Sequence, residues 1–312
     1  MRFRTSYYAG SGPSYEDCHF LAQRYDEVAG FRLFESECWV MRNLPDDDDD
    51  GEVLTQDLFG TQSWLTGLWR APSGEVFVSD SDGVVHHLLA HGDDDEDDDW
   101  VEHPIDCTLF GVHGRAADDV WTWGDAEDDR PALFHWDGDD WREIPGPDFA
   151  IVSLHAAGDL LWAAGRRGAV AVRDAGGWRR VPTDVQHDLT CVFAASPDEV
   201  YAVGQEGAFL VGDRDGLRLA ARGPGEGVAL QAVAKHDGVV WVGGHHQGLL
   251  RWDGAELVLE KPGYRVADLD ARGALVVTEE ESIIGRDADG AWWGAGDDAL
   301  AEARGDSDLG DW

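Results

Sequence analysis

The chain has few cysteines, few methionines and almost no lysine. Its 312 residues include 4 Cys and 2 Met, and the 24 basic residues include only two lysines, Lys235 and Lys261. Four scattered cysteines without a CxxC pair exclude a disulfide framework. No run approaches the roughly 18 apolar residues of a membrane-spanning helix, and the opening MRFRTSYYAG lacks the apolar segment of a secretory signal. We therefore expect a soluble cytoplasmic protein with no membrane partner.

Recognisable catalytic motifs are also missing. The sequence contains no GxSxG nucleophile motif and no sialidase-type Asp-box (S-x-D-x-G-x-T-W). A sialidase-like enzyme needs a cluster of arginines on its substrate face, and Arg166 and Arg167 supply only one repeat's share of it. We accordingly predict no catalytic residue, no cofactor and no metal.

Positive charge is scarce relative to negative charge. The chain carries 63 acidic against 24 basic residues, a formal net charge of −39. Such a surface repels nucleic-acid backbones and anionic membranes and attracts basic proteins. The sequence leaves open a second explanation, that an Asp-rich and Lys-poor composition only maintains solubility in salt.

Glycine and aromatic residues are plentiful, and they recur in a regular pattern. Four short apolar runs separated by turn residues fill Ile151 to Pro182, which predicts one small antiparallel sheet. An aromatic residue in the second run of such units recurs at intervals of about 40 residues. The five aromatic positions are Phe77, Trp121, Trp162, Tyr201 and Trp241.

Four-stranded units at this period are typical of β-propeller blades, because each sheet buries its faces only against its neighbours. We predict an all-β fold, a single seven-bladed β-propeller over residues 1–296, with six blades as the alternative if the weak repeat Cys18–Gln56 is irregular. Residues 1–16 match no repeat, and 297–312 are predicted to be a flexible acidic tail. The expected blades are roughly 17–60, 61–104, 105–146, 147–184, 185–226, 227–263 and 264–296.

The repeats also resemble a known family. DVWTWGD…FHWDGDDW, LLWAAGRRGAVAVRDAGGW, EVYAVGQEGAFLV and VVWVGGHHQGLLRWDG are similar to a bacterial propeller repeat of the form V-W-A-V-G…W-D-G-x-x-W. That repeat is common in myxobacterial proteins and is similar to photosystem II assembly-factor-like and sialidase-like propellers. The resemblance covers about residues 17–296. It implies the fold, but it does not select a function, since these families include binding modules, assembly factors and enzymes.

Acidic turns are the first candidate metal sites. The runs Asp46–Asp50, Asp93–Asp99 and Asp137–Asp140, and the SDSDG, DRDG and DADG segments at 79–83, 213–216 and 287–290, offer carboxylate oxygens for Ca²⁺. None continues into a glutamate-terminated calcium loop, and runs of like charge repel and stay solvated. We favour solvated hairpins.

Histidine pairs are the second candidates. His86 and His87 are predicted to lie in a third strand and so to point to opposite faces, where they cannot chelate one ion. His245 and His246 share a turn, but no third ligand is evident, so an exposed turn is favoured over a metal site. Glu279, Glu280 and Glu281 offer glycosidase-like paired carboxylates, and a solvated acidic turn explains them equally well.

Propeller topology places the second-to-third turns and the blade-to-blade connections on one side, which we name the connection face. The first-to-second turns and third-to-fourth hairpins share the opposite, more acidic hairpin face. Irregular loops on a rigid scaffold are where recognition concentrates. We therefore predict a partner-binding set of connection-face residues: Asp125, Asp128, Asp129, Arg166, Arg167, Gln205, Glu206, His245, His246, Glu279, Glu280 and Glu281.

Three functions are consistent with these features. The favoured one is a non-catalytic interaction scaffold that binds a basic protein, for example as an inhibitor, immunity or assembly protein. The alternatives are a sialidase-, glycosidase- or lyase-like enzyme with its site at the channel mouth, and a structural subunit. Three or more convergent ionisable side chains in that mouth, with a metal or a perturbed carboxylate, would weaken the scaffold hypothesis.

Overall fold

The structure is a computed structural model, and it describes residues 3–14, 17–26, 37–45, 53–89, 100–225, 227–286 and 290–296. Several sequence-based expectations lie outside these residues. They are the acidic turns Asp46–Asp50 and Asp93–Asp99, the first three residues of DADG and the tail 297–312.

The described residues form seven four-stranded antiparallel sheets. The first contains β1 (Phe3–Ser11), β2 (His19–Asp26), β3 (Glu37–Pro45) and β4 (Val53–Thr61). The second contains β5 (Leu65–Arg70), β6 (Val76–Asp80), β7 (Val84–Leu88) and β8 (Trp100–Pro104). The third contains β9 (Thr108–Ala116), β10 (Asp119–Asp125), β11 (Pro131–Trp136) and β12 (Trp141–Glu143).

The remaining four sheets repeat this order. The fourth contains β13 (Ile151–Ala157), β14 (Leu160–Gly165), β15 (Val170–Asp174) and β16 (Gly177–Val181). The fifth contains β17 (Leu189–Ser196), β18 (Glu199–Gly204), β19 (Ala208–Asp213) and β20 (Gly216–Arg222). The sixth contains β21 (Leu230–His236), β22 (Val239–Gly244), β23 (Gly248–Trp252) and β24 (Leu257–Lys261). The seventh contains β25 (Val266–Asp270), β26 (Leu275–Glu279), β27 (Ser282–Arg286) and β28 (Trp292–Gly296). Short 3₁₀ turns at Arg166–Gly168 and Gln205–Gly207 join the middle strands of the fourth and fifth sheets.

The first strands of successive sheets pack side by side, and β1 contacts both β5 and β25. The seven sheets therefore form a closed ring around a central axis. The fold is a seven-bladed β-propeller, so the prediction of seven blades is confirmed. Each blade takes its four strands from one continuous segment of the chain.

The first blade differs from its sequence-based description. Its first strand is β1, which lies within the residues 1–16 that match no repeat in the sequence, and HFLAQRYD is its second strand. The reason is composition. Where the other blades have an aliphatic or aromatic residue near the end of the first strand, β1 has Ala9, Gly10 and Ser11, so the repeat pattern is not visible there.

The second-strand aromatic residues fill the spaces between blades. All five are nearly inaccessible, from 0% exposure at Phe77 and Trp162 to 5% at Tyr201. Trp162 packs with Leu189 and Val192 of the fifth blade, and Trp241 packs with Val266 and Leu269 of the seventh. Large rings at these positions keep the wedge between twisted sheets free of voids.

Glycines at the ends of second strands allow neighbouring backbone to approach closely, and their own backbone conformation is extended rather than that of a turn. Gly165 and Gly204 have extended φ angles of −154° and −176°. A Cβ atom at Gly204 would lie 2.3 Å from the Asp188 carbonyl oxygen. These glycines precede the turn rather than form it; the left-handed residues come later, at Arg167 and Gly168.

The ring closes through hydrogen bonds between the first and seventh blades. The backbone N–H groups of Gly10 and Gly12 donate to the carboxylates of Asp268 and Asp270, over 3.3 Å and 3.0 Å. The Tyr7 N–H donates to the Glu280 carbonyl oxygen over 3.1 Å. Side-chain carboxylates thus replace some of the apolar contacts found at the other blade interfaces.

Candidate functional site at the central channel

The axis of the ring is an open channel of about 790 Å³. Residues from the first strands of all seven blades line it. Rigid strands surround it on every side, and this is the kind of concave site in which ligands and partners bind on a propeller scaffold.

A β-bulge occurs at the same place in each of the seven blades. In each first strand one residue is skipped in the pairing with the second strand, near the strand's start in six blades and at the sixth residue of β1. Every skipped residue lines the channel. These seven positions, which we name the collar, are Tyr8, Thr66, Phe110, Val152, Thr190, Gln231 and Ala267. Because first strands start at the connection face, the collar surrounds the channel opening on that side.

Part of the collar, together with the adjacent Trp64, forms an apolar area on the connection face. Phe110 and Val152 are 41% and 39% exposed, and Trp64, in the connection before β5, is 40% exposed. The Trp64 ring stacks on the Tyr8 ring, with centroids 5.4 Å apart. Half of the exposed large apolar side chains among the described residues therefore belong to one area, the mouth of the channel.

A row of aromatic rings lines the channel toward the hairpin face. Trp69, His113, His155 and Phe193 come from four successive blades, with ring centroids 6.2, 4.7 and 4.5 Å apart. Burial lowers the pKa of His155 to about 4. Burial, together with His155 and Arg272, holds the pKa of His113 well below its usual range. Both imidazoles are therefore neutral at pH 7.

Two carboxylates and an arginine complete the same end of the channel. Burial raises the pKa of Asp268 to about 6, against the opposing effect of the Gly10 N–H. The Arg272 guanidinium binds the Asp270 carboxylate over 2.6 Å and also donates to the Ser11 hydroxyl. These groups are occupied by contacts that join the seventh blade to the first.

The buried thiols are poorly suited to nucleophilic attack. Cys191 lines the channel, and burial raises its pKa to about 11. Cys18 precedes His19 in sequence, but burial raises the pKa of its thiol to about 12. Both thiols are protonated at pH 7, and the thiolate is the nucleophilic form.

The predicted partner-binding residues lie where topology expects them. All belong to second-to-third turns or adjoining strand ends of blades three to seven. The exposed members are Asp128, Asp129, Arg166, Arg167, Gln205, Glu206 and His246, and the partly exposed ones are Asp125, His245, Glu280 and Glu281. They form a polar arc on the connection face of blades three to seven, which we name the rim, and the rim contains charges of both signs.

Glu279 does not belong to this exposed rim. It is 1% exposed, accepts a hydrogen bond from the Ser282 hydroxyl over 2.7 Å, and lies beside the Arg265 N–H. Glu280 pairs with Arg265 over 2.6 Å. The expectation of a solvated acidic turn or of paired catalytic carboxylates was wrong for Glu279, because its carboxylate turns inward to accept hydrogen bonds from the Ser282 hydroxyl and the Arg265 backbone N–H.

The aspartates of the described acidic turns accept hydrogen bonds from N–H groups of their own turns. Asp80 of SDSDG is 2% exposed, accepts from the N–H groups of Asp82 and Val84, and bonds the His86 imidazole over 2.9 Å. Asp137 likewise accepts from the two N–H groups of its own hairpin. Within the described part of the chain no three His, Cys, Asp or Glu side chains are arranged to hold a metal ion. Nor does any described helix have the length and apolarity needed to cross a bilayer.

Sequence reasoning missed the collar and the aromatic row. A signal for the collar is present in the first strands: Leu65–Leu68, Leu109–Val112, Leu189–Val192 and Leu230–Val233 share an aliphatic residue, a variable residue, a small residue and another aliphatic. The variable position is the bulged one. Its orientation toward the axis depends on strand register, which the repeat length alone does not reveal.

Comparisons with known proteins identify the architecture and no family. No protein-family model matches the chain, and no curated protein matches it. Among solved structures, the WD40 β-propeller domain of Doa1 superposes with a TM-score of 0.68 at 7% identity, covering 89% of this chain and 91% of that one. The structural neighbours of this chain include WD40 propellers. U3-55K gives a TM-score of 0.60 at 12% identity, covering 91% and 90% of the two chains. The RRP9 WD40 repeats give 0.60 at 14%, covering 91% and 89%. At these identities the likeness concerns the fold.

Proposed function

We propose that this propeller is a non-catalytic interaction scaffold whose connection face binds a basic protein. The observation that supports it most directly is the apolar mouth of the channel, where Trp64, Phe110 and Val152 are exposed on the same face as the polar rim. Exposed apolar clusters rimmed by polar residues mark protein interfaces, and their central aromatic residues carry most of the binding energy.

Two further features support the proposal. Propellers of the WD40 type are typically scaffolds, and the solved neighbours are of that type. The net charge of −39 favours a positively charged partner, whose association would be fast and sensitive to salt. An inhibitor, immunity or assembly role for a cytoplasmic protein is one form of this proposal. The kinship with bacterial and sialidase-like repeats stays a prediction.

The enzyme alternative is not favoured. The channel does hold convergent ionisable groups, including Asp268 with its raised pKa. Such a group of side chains is the feature that would weaken the scaffold hypothesis. However, Asp268 and Asp270 accept backbone hydrogen bonds from the first blade, and Asp270 also binds Arg272. Their positions are explained by closure of the ring. Turnover of a glycoside that is abolished by Asp268→Asn, with the fold retained, would establish the enzyme instead.

Substitution of the mouth tests the scaffold proposal. The immobilised protein is used to capture partners from a lysate of its source, at about 50 mM and about 500 mM salt, and captured proteins are identified. We expect a basic protein that is released at high salt, and whose affinity falls at least about tenfold in Phe110→Ala. Leu259→Ala is the control, since Leu259 is 48% exposed on an outer strand.

Two results would contradict the proposal. Equal affinity of the captured protein for Phe110→Ala and Leu259→Ala would exclude the connection-face mouth as the interface. Capture that does not change between the two salt concentrations would exclude charge complementarity as its basis.

A further inference from the structure

A second cavity, of about 640 Å³, lies between the second and third blades at the hairpin face. The first-to-second turn of the second blade and strands β7 and β8 form one wall, and two turns of the third blade form the other. Among the described residues, none lines both this cavity and the central channel. It is therefore a separate site on the opposite side of the ring from the collar.

Two histidines in this cavity have unused hydrogen-bonding capacity. The His87 ring is 5% exposed and stacks on Phe77, with centroids 4.0 Å apart. The His103 ring lies 4.7 Å from the Trp136 ring and 5.8 Å from that of His87. The Nε2 atoms of both histidines are buried and have no hydrogen-bond partner among the described residues. A buried polar atom without a partner is costly, so a bound ligand that supplies one is stabilised.

The His86 and His87 side chains point to opposite faces of their strand, because side chains alternate along a strand. His86 packs against Phe59 of the first blade, and His87 faces Trp136 of the third. The prediction that the pair cannot chelate one ion is confirmed. Of the two, only His87 lines the cavity, and His103 from the neighbouring strand lines it as well.

The remaining polar groups of the cavity favour a cation. Glu75 places its Oε1 atom 3.9 Å from His87 Nε2, and Asp118 is exposed at the rim. No lysine or arginine is among the described residues that line it. Burial lowers the pKa of His87 to about 4 and that of His103 in the same direction, so at pH 7 both rings are neutral. A neutral ring with its proton on Nδ1 offers Nε2 as an acceptor.

Apolar groups occupy the outer part of the same cavity. Leu89 and Val101, which line it, are 41% and 39% exposed, and the Trp136 ring lies deeper, at 7% exposure. A ligand with an apolar stem and a planar cationic head matches this order of groups from the rim inward. Trp136 adds a ring face against which a cation is stabilised.

We propose that this cavity binds the guanidinium group of an arginine in an extended peptide segment. A guanidinium carries five N–H donors in one plane, enough for the Glu75 carboxylate and both Nε2 atoms together. The arginine's methylene groups would lie against Leu89 and Val101. The site is independent of the proposed function, because it lies on the other face and shares no residue with the mouth.

Arginine and citrulline amides form a matched pair of probes. Citrulline has nearly the same shape as arginine but no charge. We expect N-acetyl-arginine amide to shift the ring resonances of His87 and His103 saturably in NMR spectra of the whole protein, and N-acetyl-citrulline amide to bind at least about tenfold more weakly.

Variants then locate the cation. Glu75→Gln is expected to weaken arginine binding by about tenfold, since one charge-assisted hydrogen bond is lost. Glu102→Gln is the control: it removes the same charge from β8, where Glu102 is 67% exposed and directed toward His86 rather than the cavity. The proposal is overturned by equal affinity for the two amides, by equal loss in the two variants, or by the absence of any shift at His87 and His103.

Discussion

At the scale of single residues, the most informative groups are neutral histidines. His87, His103, His113 and His155 all have a lowered pKa, and burial is the first cause in each case. Away from water, an imidazolium loses the hydration that stabilises its charge. An acidic protein thus presents uncharged rings in the central channel and in the cavity between the second and third blades, where they offer hydrogen-bonding atoms and ring faces rather than charge.

The buried His87 makes stability depend on pH. Its folded pKa of about 4 lies below the unfolded value of 6.5, so the unfolded chain binds more protons between these values. The stability that it contributes is complete above pH 6.5 and is lost as the pH falls toward 4. A shift of this size corresponds to at most about 3 kcal/mol.

Urea unfolding at pH 7 and pH 4.5 measures this contribution. His87→Gln is expected to lose less stability between the two pH values than the unchanged protein does. His246→Gln, at an exposed turn, is expected to follow the unchanged protein. Identical pH dependence for the protein and both variants would show that His87 titrates normally in the fold.

At the scale of structural elements, the second-to-third turns of three blades hold a non-glycine residue in a strained, left-handed backbone conformation at the same position. Asp129, Arg167 and Glu206 have φ angles of 57°, 58° and 58°, in the left-handed region that disfavours side chains. Gly168 and Gly207 follow the last two with φ angles of 71° and 65°. Three successive blades therefore hold a side chain in the same unfavourable conformation at the connection face, and such strain is common in recognition loops.

Substitutions in the fourth-blade turn separate strain from packing. Gly168→Ala should destabilise the protein by at least about 1–2 kcal/mol, because it adds left-handed strain and its Cβ would lie 2.2 Å from the Val185 carbonyl oxygen. Arg167→Gly should change stability by less than about 1 kcal/mol, because relief of strain offsets the greater flexibility of the unfolded chain. Thermal unfolding of both variants provides the comparison, and a Gly168→Ala protein as stable as Arg167→Gly would contradict it.

The elements also show what the sequence can and cannot predict. The blade number and the buried positions of Trp162 and Trp241 follow from spacing, because an aromatic wedge is a local property of each repeat. The position of the connection-face turns, Arg166 included, follows from propeller topology. The collar residue Phe110 could not be assigned, since a one-residue bulge changes which side chains face the axis. His87 and His103 could not be joined to Trp136 either, because that cavity forms only where two blades meet.

At the scale of the whole molecule, negative charge is distributed over a ring that must stay compact. The formal net charge of −39 opposes compaction through mutual repulsion. Local pairs such as Arg180–Asp148 and Arg214–Asp198 are exposed and contribute little each. Stability therefore depends on apolar packing between blades, with repulsion acting against it.

Salt is expected to stabilise the protein. Raising NaCl from about 50 mM to about 1 M shortens the screening length to about 3 Å and reduces the repulsion among surface carboxylates. The melting temperature should therefore rise, and sucrose at equal osmolality should raise it less. A melting temperature that stays constant or falls with salt would mean that the repulsion is already compensated within the fold.

The seven-fold bulge has a practical consequence for engineering. Among the bulged residues, Phe110 and Val152 are left out of the pairing between the first and second strands and are also exposed, so their identity is least constrained by the sheets that carry them. A library randomised at these positions would vary the side chains that line the channel mouth while the paired strands around it are retained. The protein can thus serve as a fixed scaffold in which residues at the channel mouth are varied to select a new binding specificity without redesigning the fold.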